Sequence, residues 1–73
     1  MRICVIFNPA ARGEKAKRFR NHLDTLSTKC ALKPTFTAGA GRTLAAEAVR
    51  EGFEVIVAGG GDGTVNEVLN GIG

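Results

Sequence analysis

Apolar residues occur along the chain in two alternating patterns, and short unbroken runs form the first of them. Residues 3–7 and 53–58 are almost wholly apolar, as is typical of parallel strands that are covered on both faces. Residues 32–37 instead alternate apolar with polar positions and include Pro34, which favours a strand at the edge of a sheet. The pattern therefore predicts three strands, two of them buried and one peripheral.

Between and after these runs, apolar residues recur every three or four positions, which indicates amphipathic helices. The predicted helices cover residues 14–26, 42–51 and 64–70, and Gly52 is a natural stop for the second. The elements alternate as β-α-β-α-β-α with short connections, which implies a parallel sheet with right-handed crossovers and helices on both faces. The predicted fold class is therefore α/β with three layers.

The order of the strands in the sheet follows from their hydrophobicity. Because the first and third strands are the most apolar, we expect them to be interior neighbours, with the second strand at the edge and an order of 2-1-3. No strand within residues 1–73 covers the third one. We therefore expect these residues to form the amino-terminal part of a single larger domain.

Composition restricts the classes of protein that fit. A chain of 73 residues with 44% hydrophobic content forms one small globular unit or part of a larger one. No apolar run approaches the ~20 residues of a membrane span, so we do not expect the chain to cross a bilayer. Cys4 and Cys30 lack the spacing of a metal site or a redox pair, which favours reduced thiols in a cytosolic protein.

The net charge of +3 is concentrated near the start of the first predicted helix. Five cations stand against the single acid Glu14 in this segment: Arg12, Lys15, Lys17, Arg18 and Arg20. The cluster fits a solvated helix face, and it also fits attraction to phosphates or to an anionic membrane surface. Because Phe19 is the single aromatic residue among these cations, the segment lacks the series of aromatics of a single-strand binder, and nucleic acid is not an expected partner.

The glycine-rich segment 58–67 follows the third strand and leads into a helix. Its glycines allow several backbone N–H groups to point into one concavity, and the helix N-terminus adds a positive dipole end, so the segment suits a phosphate group. The lone acid Asp62 makes sense there if Mg²⁺ lies between its carboxylate and the phosphates. Thr64 and Glu67 have the spacing of a capping box, which predicts that the helix begins at Thr64.

Two further segments reach the same edge of the predicted sheet. Asn8 and Thr37 follow the carboxyl ends of the first and second strands, where ligands bind in open α/β sheets. Neither the G-x-G-x-x-G fingerprint nor a Walker sequence is present. The alternative interpretation of the glycines is a tight turn that serves only to pack a strand against a helix.

Residues 60–68, GGDGTVNEV, continued by Leu69-Asn70-Gly71, resemble the signature of the diacylglycerol kinase catalytic domain family. That family includes bacterial lipid kinases, sphingosine kinases and ceramide kinases. Asn8-Pro9 resembles the N-P opening after the family's first strand, and Thr37 resembles the threonine that ends its second strand. The resemblance extends over nearly the whole chain in element order.

The resemblance implies binding of ATP and Mg²⁺ and transfer of the γ-phosphoryl group to a lipid hydroxyl, on diacylglycerol or a sphingoid-like base. It assigns the catalytic and metal-binding roles to Asp62. The ATP contacts that it implies are Asn8, Pro9, Ala10, Ala11, Arg12, Thr37, Gly60, Gly61, Asp62, Gly63, Thr64, Val65, Asn66 and Glu67.

Two loops depart from the family pattern. The glycine after Asn8-Pro9 is Gly13, one place later than in the common form. Residues 41–43 read Gly-Arg-Thr where the family usually has a glycine, a His or Asp, and an alanine. The glycine-rich segment is therefore the part of the chain that matches the family pattern most fully.

In the family, a second, β-rich domain carries the acceptor site and the proposed general base, and nothing in this chain matches it. We therefore expect residues 1–73 alone to be inactive, and the whole enzyme to be cytoplasmic and peripherally bound to a membrane, with a homodimer left open. Two rival hypotheses remain. One is an enzyme like NAD kinase, which has a GGDGT loop on a related fold, and the other is a non-catalytic nucleotide-binding module.

Overall fold

The computed structural model describes residues 2–59 and 62–72, and the side chains of residues 15, 62 and 63 are outside that description. The elements are, in order, β1 Ile3–Phe7, α1 Glu14–Asn21, α2 Leu23–Ser27, β2 Ala31–Pro34, α3 Ala40–Arg50, β3 Val55–Gly59 and α4 Asp62–Ile72. Within the described ranges, no helix combines the length and the apolar character needed to cross a bilayer.

The three strands form one parallel sheet in the order β2-β1-β3, which confirms the predicted order 2-1-3. β1 lies in the centre, where Cys4 pairs with Ala31 on one side and with Ile56 on the other. At the carboxyl end, Phe7 pairs with Pro34 and with Gly59. The three strands therefore end at the same level, and the segments after β1 and β2 leave the sheet side by side.

Successive side chains of β1 point to opposite faces of the sheet, and each face has its own helices. Cys4 and Ile6 are fully buried in the main core. That core is completed by Ala45 and Ala48 of α3 and by Val68 of α4. Burial raises the pKa of the Cys4 thiol, and the nearby positive charge of Lys33 lowers it by less. This thiol is therefore held in its protonated, unreactive form.

The opposite face of the sheet is covered by α1. The rings of Phe7 and Phe19 lie with their centroids 5.5 Å apart and their planes inclined by 50°. The Phe19 ring also lies directly over Gly59, where a Cβ atom would be 2.6 Å from the ring. Glycine at this position therefore allows α1 to approach the end of β3. With helices on both faces, the three-layer α/β class is confirmed.

The first predicted helix, 14–26, is divided at His22 into α1 and α2. The His22 side chain donates from Nδ1 to the carbonyl oxygen of Arg18 at 2.8 Å. Its backbone N–H donates instead to Phe19 O, a shorter helical turn. The side chain thus replaces the backbone donor that a continuous helix would present to Arg18 O, and α1 ends before His22.

The other element boundaries differ from the predictions by a few residues. β2 ends at Pro34, because the chain turns towards α3 soon afterwards and Ala40 N–H donates to Thr37 O at 3.2 Å. β3 begins at Val55, since Phe53 N–H donates to Ala48 O and belongs to the turn that closes α3. The predicted stop of α3 at Gly52 is confirmed, since the helix ends at Arg50 and Gly52 has a φ of +86°.

We expect Ile6→Ala to lower the free energy of unfolding of the intact protein by about 2–5 kcal/mol, because it leaves a cavity in the main core. Chemical denaturation measures the change. Val57→Ala is the control, since Val57 is also a strand residue but is 40% exposed, and it should cost much less. Equal losses for the two variants would contradict this placement of the core.

Candidate functional site

An open cavity of about 290 Å³ lies at the carboxyl ends of the strands. Its lining comes from three segments: the loop after β1, the turn after β2 and the first two turns of α4. The lining residues are Asn8, Ala10, Thr35, Phe36, Thr37, Ala38, Thr64 and Glu67. Five of them are among the predicted ATP contacts, namely Asn8, Ala10, Thr37, Thr64 and Glu67. The structure thus brings together residues that are up to about 60 positions apart in the sequence, as expected for a crevice of this fold.

The loop after β1 is a tight turn organised by Asn8. The side-chain oxygen of Asn8 accepts a hydrogen bond from Ala10 N–H at 2.9 Å, and its backbone carbonyl accepts one from Ala11 N–H at 3.1 Å. This is the Asx-turn that asparagine favours. Within the described part of the chain the side-chain NH₂ of Asn8 has no acceptor. It is therefore a donor available at the cavity wall.

A guanidinium group from α1 braces the same loop. Arg20 donates from Nη1 to the carbonyl oxygen of Ala11 at 2.6 Å. The predicted contacts Pro9 and Ala11 are half-buried in this turn, outside the cavity lining, and Arg12 is exposed. Among the described side chains, the one ion pair joins Lys33 to Glu51, away from α1. The described cations of the basic cluster therefore remain unneutralised by acids beside this loop.

The turn after β2 is fixed to β1 by Thr35. Its backbone N–H and its side-chain hydroxyl both donate to the carbonyl oxygen of Phe7, at 2.8 and 3.3 Å. Thr35 is buried, and the chain leaves the sheet immediately after it. Thr35, Phe36 and Ala38 line the cavity but were not predicted to do so. Thr35 and Phe36 fell within the predicted strand 32–37 and Ala38 follows it, although the adjacent Thr37 was a signal.

Glu67 joins α4 to the beginning of α3. Its Oε2 accepts a hydrogen bond from Gly39 N–H at 2.9 Å, and its Oε1 accepts one from Gly41 N–H at 3.1 Å. A Cβ atom at Gly41 would lie 2.7 Å from Oε1, so a larger residue there would displace the carboxylate. Glu67 therefore caps a helix other than its own.

The predicted capping box of Thr64 and Glu67 is wrong. α4 begins at Asp62, so Thr64 lies inside the first turn rather than at the N-cap. The carboxylate that was expected to reach back to Thr64 is engaged by α3 instead. Because a carboxylate already compensates the N-terminus of α3, the helix terminus left to attract an anion at this cavity is that of α4.

The predicted residues of α4 have different surroundings. The side chain of Thr64 is buried at the cavity wall, Val65 is 39% exposed, and Asn66 is exposed outside the lining. Gly60 and Gly61 lie outside the described residues, as do the side chains of Asp62 and Gly63. The catalytic and metal-binding roles of Asp62 therefore stay predictions.

The described donors around the cavity match the needs of a phosphate chain. They comprise the amide of Asn8, the hydroxyls of Thr37 and Thr64, and the N-terminal turn of α4. The sequence profile of the diacylglycerol kinase catalytic domain matches residues 2–73. The chain belongs to this family.

Three of the curated relatives that this chain matches come from bacteria. It is 40% identical to a candidate lipid kinase of Streptococcus pneumoniae, over 93% of this chain and 24% of that protein. It is 35% identical to a diacylglycerol kinase of Staphylococcus saprophyticus and 36% identical to one of Bacillus subtilis, with the same shares covered. The chain thus spans about a quarter of the length of the curated relatives that it matches.

We expect Glu67→Ala to lower the free energy of unfolding of the intact protein by about 1–2 kcal/mol, because two backbone donors at the start of α3 lose their charged acceptor. Glu67→Gln, which retains one acceptor oxygen, should lose less. Urea denaturation measures both. The matched control is Glu47→Ala on α3, since Glu47 makes no side-chain hydrogen bond to a described residue. If Glu67→Ala is no less stable than the control, the cap contributes nothing to the free energy of unfolding.

Proposed function

We propose that this chain is the ATP-binding, amino-terminal part of a lipid kinase domain. The kinase transfers the γ-phosphoryl group of ATP to a lipid hydroxyl. The observation that carries the proposal is the convergence of Asn8, Thr37 and Thr64 on one cavity at the switch point between β1 and β3. Membership of the diacylglycerol kinase catalytic domain family gives the chemical class.

The polar residues of the cavity have distinct tasks in this proposal. The amide of Asn8 and the hydroxyl of Thr64 donate to phosphate oxygens, and the α4 N-terminus supplies partial positive charge. The Asx-turn and the Arg20 brace keep the loop after β1 in one conformation before ATP arrives. Donors fixed in advance lose little order on binding, which favours affinity and phosphoryl transfer.

Asp62 is the residue that we assign to the metal. It is the first residue of α4, next to the segment that holds the phosphates in this proposal. Bound Mg²⁺ would neutralise the charge that develops on the transferred phosphoryl group. Glu67 is less suited to the metal, because both of its oxygens accept hydrogen bonds from backbone amides. Asp62 would therefore hold the ion directly or through water.

The lipid acceptor is the finer part of the proposal. Two of the relatives named above are called diacylglycerol kinases, which makes diacylglycerol the first acceptor to test and a sphingoid base the second. The exposed cations Arg12, Lys17 and Arg18 suit a cytoplasmic protein that approaches an anionic membrane peripherally, with about 1 kcal/mol gained for each cation at the surface.

Phosphorylation assays on the intact protein, with labelled ATP and Mg²⁺, test the proposal directly. Diacylglycerol, a sphingoid base and NAD are offered in parallel. Transfer to a lipid supports the proposal, whereas transfer to NAD alone supports the NAD kinase hypothesis. ATP binding without transfer to any acceptor would favour a non-catalytic nucleotide-binding module.

We expect Asp62→Ala in the intact enzyme to reduce kcat about 100-fold or more, because the metal-phosphate complex loses its anchor. Circular dichroism shows whether the variant folds, and steady-state kinetics measure its kcat. Asp24→Ala is the control, since Asp24 is an exposed aspartate of α2 outside the cavity lining. Full activity of Asp62→Ala would remove Asp62 from the metal role.

We also expect residues 1–73, expressed alone, to give no Mg²⁺-dependent phosphorylation of a lipid. The physical reason is that the described lining contains no carboxylate or imidazole free to take the acceptor proton, since Glu67 is fully engaged. The same acceptor assay provides the measurement, with the intact protein as the positive control. Turnover by the short chain would show this expectation to be wrong.

A further inference from the structure

Phe36 is the most exposed large hydrophobic side chain in the described part of the chain, with 80% of its surface accessible to solvent. It nevertheless lines the cavity together with the polar residues of the site. A phenylalanine in water leaves a large apolar surface unburied, so a largely exposed ring in a cavity wall points to something that covers it. Its neighbours in the sequence, Thr35 and Thr37, are polar.

The backbone fixes where this ring is presented. Thr35 is bonded twice to Phe7 O and is buried, so the next residue is held at the point where the chain leaves the sheet. Ala40 N–H donates to Thr37 O and turns the chain back towards α3. Phe36 therefore lies between two fixed points, on the side of the cavity formed by the edge strand β2.

The order of the sheet places the ring and the phosphate donors at opposite ends of one row. β2, with Phe36 after it, is one edge, β1 with Asn8 is the middle, and β3 leads into the glycine segment and Thr64. Parallel strands are about 4.8 Å apart, so this row extends over roughly 10 Å. An extended nucleoside triphosphate has a flat aromatic base at one end of such a span and phosphates at the other.

We propose that Phe36 stacks on the adenine base of ATP and so determines how the nucleotide is oriented in the cavity. The inference rests on the proposed function, which it extends by assigning the base to the β2 side and the phosphates to the α4 side. Stacking uses the π face that every base presents. Phe36 therefore supplies affinity for the base and sets its direction, while the phosphate donors act independently of it.

The test compares ATP with inorganic tripolyphosphate, which has the phosphate chain and no base. Dissociation constants are measured by calorimetry on the intact protein with Mg²⁺. We expect Phe36→Leu to weaken ATP binding about tenfold, because the apolar side chain is retained but the ring face is lost. Binding of tripolyphosphate should stay unchanged, and Phe36→Tyr should bind ATP like the wild type.

Leu69→Ala is the control for loss of an exposed apolar side chain, since Leu69 is 63% exposed on α4 and outside the cavity lining. Equal ATP affinity of Phe36→Leu and the wild type would overturn the stacking inference while leaving the proposed function intact. Equal weakening of ATP and tripolyphosphate would also overturn it, because the substitution would then act on the phosphate end. Failure of the wild type to bind ATP would overturn the proposed function and this inference together.

Discussion

The carboxylate of Glu67 lies where α3, α4 and the turn after β2 meet. It accepts hydrogen bonds from Gly39 N–H and Gly41 N–H, and therefore ties the turn after β2 and the start of α3 to α4. A carboxylate that receives two backbone donors also satisfies groups that the start of a helix leaves unpaired. The position of Thr37 at the cavity, two residues before Gly39, depends on this link.

The sheet supplies the other half of the arrangement. Because β1 is paired on both sides in register, its carboxyl end lies level with those of β2 and β3. Thr35 extends this alignment by one residue through its two bonds to Phe7 O. The segments after β1 and β2 thus leave the sheet level with the end of β3, and short turns are enough to bring their polar groups into one cavity with those of α4. Rigid placement of donors on a scaffold is what anion binding and phosphoryl transfer need.

The sequence was informative wherever hydrophobicity determines the structure. The apolar runs 3–7 and 53–58 identified the buried strands, and Pro34 identified the edge, so the order of the sheet and its layers were predictable. Asn8, Thr37 and Thr64 were predictable as cavity residues because each follows a strand in a parallel sheet. The glycine-rich segment and the resemblance to the family predicted the ligand, ATP.

What the sequence did not reveal depends on contacts between distant residues. The spacing of Thr64 and Glu67 indicates a local cap, but the carboxylate finds a better geometry on α3, 26 to 28 positions away. The hydrogen bond from His22 to Arg18 O ends a helix whose apolar periodicity continues to Leu26. Phe36 looked like one more strand residue, because periodicity alone does not show where a chain leaves its sheet.

The absence of a side chain at Gly59 has a consequence beyond the packing of two elements. The Phe19 ring that fills this space belongs to the same helix as Arg20, whose guanidinium group braces the loop after β1 at Ala11. Gly59 is also the last residue of β3 and lies within the glycine-rich segment 58–67. One aromatic ring thus sets the distance between α1 and the end of β3, and any added bulk beneath it would move the helix that holds the loop after β1 and so change the width of the crevice.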